Sequence, residues 1–512
     1  MHAPQEALKG DLLFGHPKGL YVLFMTETWE RFSYYGMRAL LVLYLTQRFL
    51  LTDTASFAIY GAYTALVYIS PLLGGVIADR FFGYNKSVMI GGALMIVGHF
   101  GFAIQDFEFA TGAKGATPAG LQLFYISMAF LITGVGFLKG NISTMVGALY
   151  PKDSRLRDSG FVIFFWGVNI GATLAAFTCG YIGQTYGWGY GFGLAGIGMC
   201  LGQATFMLGQ RYLAREEEPA SARRTYAVAG IRIAGRRIPL IGILGTLIAT
   251  YGLMQIPQVT GPIVITTVFL ALAWTIWFSV AKLEKVERER VWCSLIIWAM
   301  WACYAALIEQ TGSSINLFTA RLVDLQMGPV TLQASQLQGA TTLFLLILSP
   351  VVAWLWDWLD KRGLNPPTPP KLALAIFALA AGFGAVWLGI RLADGAGLVS
   401  VWWLMLTFVC FAMAAIVLQP IGLSTVTRLT TDRIIGFMVG LWMLAVAIGS
   451  WAAAEIAKLS SVSAAEQKAM AHPALLAHYQ TFFGSVALWA VGLGVLFFAL
   501  TPLMKKWMHG MR

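Results

Sequence analysis

The sequence has little charge for its length. Only 12% of its 512 residues are Asp, Glu, Lys or Arg and six are His, whereas 58% are hydrophobic. Such a composition excludes a soluble globular domain, in which about 25% of residues are charged. The many separate apolar runs exclude a single membrane anchor, so we predict an all-α integral membrane protein.

Cysteine is also scarce, and none of the five cysteines has the spacing of a metal site or a disulfide framework. All five lie in apolar runs, where Cys packs as a small hydrophobic residue. The sequence contains no His-rich metal set and no nucleophile motif, so only the buried charges would support a membrane enzyme with acid–base chemistry. We therefore predict no enzyme, no metal and no cofactor. Residues 1–17 lack a signal-peptide core, which predicts that the first helix is retained.

Fourteen apolar segments are long enough to cross a bilayer. They are predicted at residues 19–51, 55–79, 86–107, 119–149, 155–184, 188–213, 238–256, 262–283, 290–321, 331–359, 370–392, 398–429, 434–457 and 476–504. With a cytoplasmic N-terminus, 26 of the 35 Lys and Arg residues fall in cytoplasmic segments, six fall outside and three lie within spans. This bias predicts two cytoplasmic termini and accounts for the net charge of +11 without a nucleic-acid partner.

Two short spans near the middle of the chain separate six spans from six others. The spans 238–256 and 262–283 lie between charged stretches and contain no deep ionisable residue. The pattern predicts an N-terminal six-helix bundle over 1–213, linkers and two inserted helices over 214–288, and a C-terminal six-helix bundle over 289–512. A 6 + 2 + 6 arrangement is typical of repeat-built transporters, which bind substrate near the middle of the membrane.

The first span contains four charged residues, which are costly in a bilayer unless they face a bundle interior or a wet cavity. On a helix, its polar residues fall within roughly 60° of a single line. They are Glu27, Glu30, Arg31, Tyr34 and Arg38. Two acids and two bases on one stripe predict an ion-pair network that can exchange partners. The alternative is a static buried network that only sets helix register.

Two further ionisable residues lie deep in later spans. Lys139 is well inside its apolar run, and Glu309 lies in a segment of small and polar residues. Three buried acids then balance three buried bases, so that protonating one carboxylate releases a basic partner. A released base could hold an anionic group of a substrate, which gives a physical basis for proton coupling. Alternatively, Lys139 could extend its ammonium group to the membrane surface.

These residues carry a family resemblance. The motif Glu27-x-x-Glu30-Arg31-Phe32-x-Tyr34-Tyr35-Gly36 resembles the first-helix signature of the proton-dependent oligopeptide transporters of the major facilitator superfamily. The family's pattern is also matched by Lys139, Asn169, Glu309-Gln310-x-Gly312-Ser313-Ser314 and Trp442. Two inserted helices are typical of bacterial members, and the resemblance extends along the whole chain.

The resemblance implies a major facilitator fold, with 12 transmembrane helices in two six-helix bundles plus two inserted helices. It also implies proton-coupled symport of di- and tripeptides by alternating access in the cell (inner) membrane. The coupling ion is then the proton, the partners are short peptides and the lipid bilayer, and the protein is monomeric.

Site residues follow from the same resemblance and, for Tyr34 and Tyr68, from the aromatic residues that are dense around the buried charges. The candidates for proton coupling are Glu27, Glu30, Arg31, Lys139 and Glu309. The candidates for substrate binding are Arg31, Tyr34, Arg38, Tyr68, Lys139, Asn169, Gln419 and Trp442. Arg31 and Lys139 would hold the peptide carboxylate. Arg38 and Glu309 would form the pair that closes the outer side.

The sequence departs from the family in two C-terminal helices. The family's tenth helix has a glutamate five residues before a proline, where this chain has Ala415 before Pro420. The serine that usually precedes this proline is replaced by Gln419. The family's eighth helix has an asparagine before a proline, where this chain has Thr341-Thr342. The expected partners of a peptide ammonium are thus missing. A modified peptide or an organic anion without a free ammonium therefore remains an alternative substrate.

Overall fold

The protein is built from long helices that coincide closely with the predicted spans. The computed structural model describes residues 12–109, 115, 117–151, 154, 156–213, 219–228, 231–393, 397–463 and 472–511. The long helices are α1 Lys18–Leu43, α2 Asp53–Ile77, α3 Tyr84–Phe109, α4 Pro118–Ala148, α5 Leu156–Ala175, α6 Trp188–Gly209, α7 Ile238–Gln255, α8 Pro257–Lys282, α9 Lys285–Ile308, α10 Ala340–Lys361, α11 Thr368–Arg391, α12 Val401–Leu429, α13 Ile435–Lys458 and α14 His472–Ala499. Among the described residues, β-structure is confined to four two-stranded sheets.

Within the described residues, thirteen helical segments are long and apolar enough to cross a membrane. The remaining long helix is α1, whose 26 residues include the charges discussed above. Helices are expected here because a backbone in hydrocarbon must satisfy its own hydrogen-bonding groups. The predicted all-α membrane architecture with fourteen long helices is confirmed.

The helices form two compact units. Unit 1 comprises Met1–Tyr44, Arg48–Leu50 and Leu66–Ile256, and unit 2 comprises Leu45–Gln47, Leu51–Ala65 and Pro257–Arg512. The boundary therefore falls inside α2, whose first part belongs to unit 2 and whose later part belongs to unit 1. Of the two inserted helices, α7 contacts α4 within unit 1 and α8 contacts α13 within unit 2. The three-part division predicted over 1–213, 214–288 and 289–512 stays a prediction.

The linker before the inserted helices has a structure of its own. Its strands Thr225–Val228 and Ile231–Ala234 pair as an antiparallel hairpin. The ring of Tyr226 in this hairpin lies edge-on to that of Phe81, with centroids 5.9 Å apart. Phe81 belongs to the π-helical turn Ala78–Phe82 that continues α2. The linker thus packs against the turn between α2 and α3 within unit 1.

Candidate functional site

Three of the predicted first-span residues form one buried ion-pair cluster, which we call the α1 cluster: Glu27, Glu30 and Arg31. Arg31 Nε lies 2.9 Å from Glu27 Oε1 and 2.5 Å from Glu30 Oε2. The Glu30 side chain has no exposed surface, and the other two are almost as deeply buried. Glu27 Oε2 and Glu30 Oε1 accept no hydrogen bond from any residue that the structure describes. The cluster therefore has one more carboxylate than it has bases and retains capacity to accept a donor.

The helices α5 and α1 pack closely against each other beside Arg31. A Cβ atom at Gly171 would lie 3.0 Å from Arg31 Cβ and even closer to the Thr28 carbonyl oxygen. Asn169, two residues earlier, is buried and donates from Nδ2 to the Phe165 carbonyl 2.9 Å away, inside its own helix. The absence of a side chain at Gly171 thus lets the two helices approach each other beside Arg31.

Lys139 lies in the interior of α4 with its ammonium over an aromatic ring. Its Nζ atom is 3.8 Å from the centroid of Tyr68, an arrangement typical of a cation–π contact. The two helices meet closely here, because a Cβ at Gly74 would collide with the backbone of Gly136, and Ser70 Oγ donates to the Ile132 carbonyl at 2.9 Å. The structure therefore brings the predicted residues Tyr68 and Lys139 together.

Lys139 also acts on the α1 cluster. Arg31, Glu27 and Lys139 are among the charged groups that act electrostatically on Glu30. A nearby cation favours the ionised form of a carboxylate, and a further carboxylate disfavours it. The charge state of the cluster therefore depends on Lys139 as well as on its own three members.

The remaining basic residue of the first span is also held by aromatic rings. Arg38 Cζ lies 5.5 Å from the Tyr35 centroid, and Arg31 Cζ lies 5.6 Å from the Tyr34 centroid. The two tyrosine rings pack edge to face with centroids 5.1 Å apart. The predicted stripe of Tyr34 and Arg38 next to the α1 cluster is thus present on α1.

One titratable pair lies outside the spans, next to the start of α1. His16 Nδ1 and Tyr150 Oη are 2.8 Å apart. Burial raises the pKa of Tyr150 to about 12, with a smaller contribution from Tyr21. The phenol therefore keeps its proton at neutral pH, and its contact with His16 anchors the segment before α1.

Glu309 lies in unit 2, where the helix that carries it is interrupted. α9 ends at Ile308, a 3₁₀ turn covers Glu309–Gly312, and a short helix runs over Ser314–Leu322. Tyr60 Oη donates to Glu309 Oε2 at 3.0 Å. The Glu309 side chain is buried, so this interruption places a carboxylate inside the unit. The predicted pair between Arg38, in unit 1, and Glu309 stays a prediction.

The residue after Glu309 stabilises the interruption. Gln310 Nε2 donates to the Ala453 carbonyl at 2.9 Å, and Ser314 Oγ donates to Gln310 Oε1 at 2.6 Å. Both contacts are buried; they satisfy the side-chain amide of Gln310 and connect the interruption to α13 and to the short helix that follows it. The sequence motif around Glu309 thus has a structural role beside any role of its carboxylate.

Trp442 belongs to a column of three aromatic rings in unit 2. Trp301 stacks on Tyr304, with centroids 5.0 Å apart and planes at 9°, and on Trp442, with centroids 4.8 Å apart and planes at 7°. Gln419 Nε2 donates to Tyr304 Oη at 3.3 Å. α12 contains no acidic residue, and Ala415 is buried. This part of unit 2 therefore offers aromatic rings and an amide where the family resemblance implied a carboxylate.

The sequence analysis missed a buried ion pair at the start of α2. Arg321 donates to both carboxylate oxygens of Asp53 at 2.7 Å and to Tyr479 Oη at 3.1 Å. The Val462 backbone N–H also donates to Asp53 Oδ2, at 3.2 Å. All four residues lie in unit 2, so this network fastens the first turn of α2 to that unit.

Tyr60, Trp301 and Tyr304 were missed as well. Trp301 and Tyr304 have helical spacing on the segment that leads to Glu309, which was an available signal. The sequence contained no signal for Tyr60, because its partner Glu309 is 249 positions away. Among the residues that the structure describes, no group of three or more His, Cys, Asp or Glu could hold a metal ion.

Comparison with known proteins extends these findings over nearly the whole chain. A family model described as the POT family matches residues 85–494. The Bacillus subtilis protein named uncharacterized transporter YclF is 32% identical over 97% of this chain and 96% of its own length. The peptide transporter YePEPT of Yersinia enterocolitica is 31% identical, over 87% of this chain and 88% of its own. A di-/tripeptide transporter of Lactococcus lactis is 30% identical, over 84% and 87%.

Solved structures agree with the sequence relatives. A crystal structure of a peptide transporter POT in complex with sulfate superposes with a TM-score of 0.80 at 29% identity, covering 99% of this chain and 98% of that chain. The major facilitator fold predicted from the sequence is thereby confirmed. Because the relatives and the structural neighbour are transporters and the matches cover most of the chain, this protein is a membrane transporter, not an enzyme, and belongs to the POT family of peptide transporters.

Proposed function

We propose that this protein is a proton-coupled symporter that takes up di- and tripeptides by alternating access. The observation that carries the proposal is the α1 cluster, in which one buried guanidinium is shared by two carboxylates. A buried excess of negative charge is costly, so the cluster favours either an added proton or an added cation. The relatives named as peptide and di-/tripeptide transporters support peptides as the substrate class.

The cluster provides a way to couple a proton to a substrate anion. A proton on one carboxylate weakens its attraction to Arg31, whose planar fork then becomes available to a peptide carboxylate. Lys139, over Tyr68, supplies a second positive charge in the same unit. Proton and peptide therefore bind cooperatively, which symport requires, since each one stabilises the state that the other needs.

Glu309, a buried carboxylate in unit 2, extends the mechanism. Tyr60 Oη donates a hydrogen bond to the buried carboxylate of Glu309. Protonation of Glu309 would add a donor on one oxygen and remove the negative charge that accepts from Tyr60, so their contact could rearrange. We propose that this rearrangement accompanies the change between the two access states, with Arg38 as the partner that the family resemblance implies.

The remaining expectations belong to the same proposal. We place the protein in the inner membrane with both termini cytoplasmic, on the strength of the 26-to-6 distribution of Lys and Arg. We propose a monomer, with protons as the coupling ion and short peptides and the bilayer as partners. Tyr34, Asn169, Gln419 and Trp442 are proposed to line the peptide site. A substrate without a free ammonium is not favoured by the relatives, and the second prediction below tests it.

The first prediction is that an inward proton gradient drives peptide accumulation. A gradient of about one pH unit supplies about 1.4 kcal/mol per proton, which supports about tenfold accumulation of a substrate moved with one proton. Uptake of labelled Ala-Ala into proteoliposomes is compared with and without the gradient, with the membrane potential clamped at zero. A protonophore should abolish the difference. Equal accumulation in both conditions, or a strict requirement for sodium, contradicts proton coupling.

The second prediction concerns the missing acid at Ala415. Because Gln419 and the aromatic column offer only dipoles and ring edges, a peptide ammonium gains little here. N-acetyl-Ala-Ala should therefore compete with labelled Ala-Ala within about tenfold of Ala-Ala itself, a difference of about 1.4 kcal/mol. In the Ala415→Glu variant, acetylation should cost more. A hundredfold loss on acetylation in the wild type would show that an acid pairs the ammonium, with Glu309 the first to be examined.

A further inference from the structure

One face of α10 presents an exposed apolar stripe. Its members are Ile347, Val351, Trp354, Leu355 and Trp358, each exposed by 36% to 64%. Their spacing of three and four residues places them on one side of a helix. Only 17% of the apolar window of α10 is buried, the lowest share among the thirteen candidate spans. We call this surface the α10 stripe.

The stripe ends in two basic residues at the C-terminus of α10. Arg362 Cζ lies 3.7 Å from the centroid of Trp358, whose ring is 6.5 Å from that of Trp354. Lys361 Nζ is 2.9 Å from Asp357, and both side chains are largely exposed. Arg362 forms no salt bridge with any residue in the described part of the chain. The guanidinium is thus oriented by an indole face while its N–H groups remain available.

The nearby acids do not take up this charge. Asp357 is engaged by Lys361, and Asp360 accepts a hydrogen bond from Asn365 Nδ2 at 3.1 Å. A guanidinium that lies flat on an indole keeps the edge that donates hydrogen bonds directed outward. That edge matches a phosphate group, which accepts two parallel N–H bonds.

The dimensions of the stripe match one leaflet of a bilayer. Trp358 is eleven positions after Ile347, and at 1.5 Å per residue the two are about 16.5 Å apart along the helix, close to half of the roughly 30 Å hydrocarbon core. Tryptophan concentrates at the membrane interface, and bases beside it reach the headgroup level. At that depth the abundant anion is the phosphate of a phospholipid.

We propose that the α10 stripe and Arg362 form a binding site for an anionic phospholipid. Arg362 binds the phosphate, Lys361 adds positive charge, and Trp354 and Trp358 contact the glycerol region. One acyl chain lies along Ile347 and Val351. Charge complementarity favours a lipid over a second copy of this chain, since the basic end of the stripe would repel the same end of another copy. The site shares no residue with the α1 cluster.

The test measures lipid binding to the full-length protein in detergent. Native mass spectrometry counts bound lipids, and thermal unfolding gives Tm, with phosphatidylglycerol compared with phosphatidylcholine. The wild type should retain phosphatidylglycerol preferentially and gain Tm from it. Arg362→Gln should lower the affinity of this site by about tenfold, the loss expected for one charged hydrogen-bond pair. The affinity of Arg362→Lys for phosphatidylglycerol should lie between those of the wild type and Arg362→Gln.

The matched control is Arg391→Gln. Arg391 Cζ lies 5.1 Å from the Trp387 ring at the end of α11, so this variant loses the same charge from another Arg–Trp pair that is not part of the α10 stripe. It should bind phosphatidylglycerol as the wild type does. Equal retention by wild type and Arg362→Gln overturns the proposal. If inorganic phosphate alone raises Tm as much as phosphatidylglycerol does, the site binds a free anion and the proposal is overturned. A dimer that Arg362→Gln disrupts would also overturn it.

Discussion

Replacing Lys139 by alanine should abolish uptake driven by a proton gradient while leaving the fold intact. Lys139, like Arg31 and Glu27, is a charged group that acts electrostatically on Glu30. Its ammonium lies over the ring of Tyr68. Without it, the α1 cluster loses a nearby cation, and we expect the extra carboxylate to remain protonated through the cycle. A carrier in one protonation state can still exchange substrate but cannot accumulate it.

Two assays separate these outcomes. Gradient-driven accumulation in proteoliposomes should fall to background, whereas counterflow exchange at equal pH should continue. Lys371→Ala is the matched control, because its Nζ also lies over an aromatic ring, 4.4 Å from the centroid of Trp356, but on α11 in unit 2. It should accumulate peptide like the wild type. Concentrative uptake by Lys139→Ala at the wild-type level would remove this lysine from the mechanism.

Breaking the buried ion pair between Asp53 and Arg321 should lower the stability of the protein much more than breaking an exposed pair. The Asp53→Asn variant leaves the guanidinium of Arg321 without its two charged acceptors in a buried position. Removing one partner of such a pair costs about 3 kcal/mol or more, because the remaining charge is uncompensated. The measurement is Tm in detergent, followed by fluorescence.

The double variant Asp53→Asn/Arg321→Gln should recover part of this loss, since it leaves no unpaired charge. Lys458→Gln serves as the control, because it breaks the more exposed pair with Glu455 and should change Tm little. A Tm in Asp53→Asn equal to that of Lys458→Gln would mean that water replaces the lost contacts. It would also mean that the first turn of α2 is fastened to unit 2 by other contacts.

The membrane architecture could be predicted from the sequence because its determinants are local. The length of each apolar run against the bilayer thickness, and the helical period that aligns Glu27, Glu30 and Arg31, require no knowledge of neighbouring helices. The ion pairs inside the α1 cluster follow from that alignment, since its members are neighbours on one helix. The sequence also shows directly that the helix containing Ala415 has no acidic residue.

Tertiary structure alone decided which residues meet across helices. Tyr60 binds Glu309, Lys139 lies over Tyr68, and Arg321 binds Asp53, although each pair is distant in sequence. Such pairs depend on how closely and at what height two helices cross, as at Gly74 and Gly136, where the missing side chains permit contact. Apolar periodicity carries no information about that height, because sliding one helix along another preserves its apolar face but changes every polar partner.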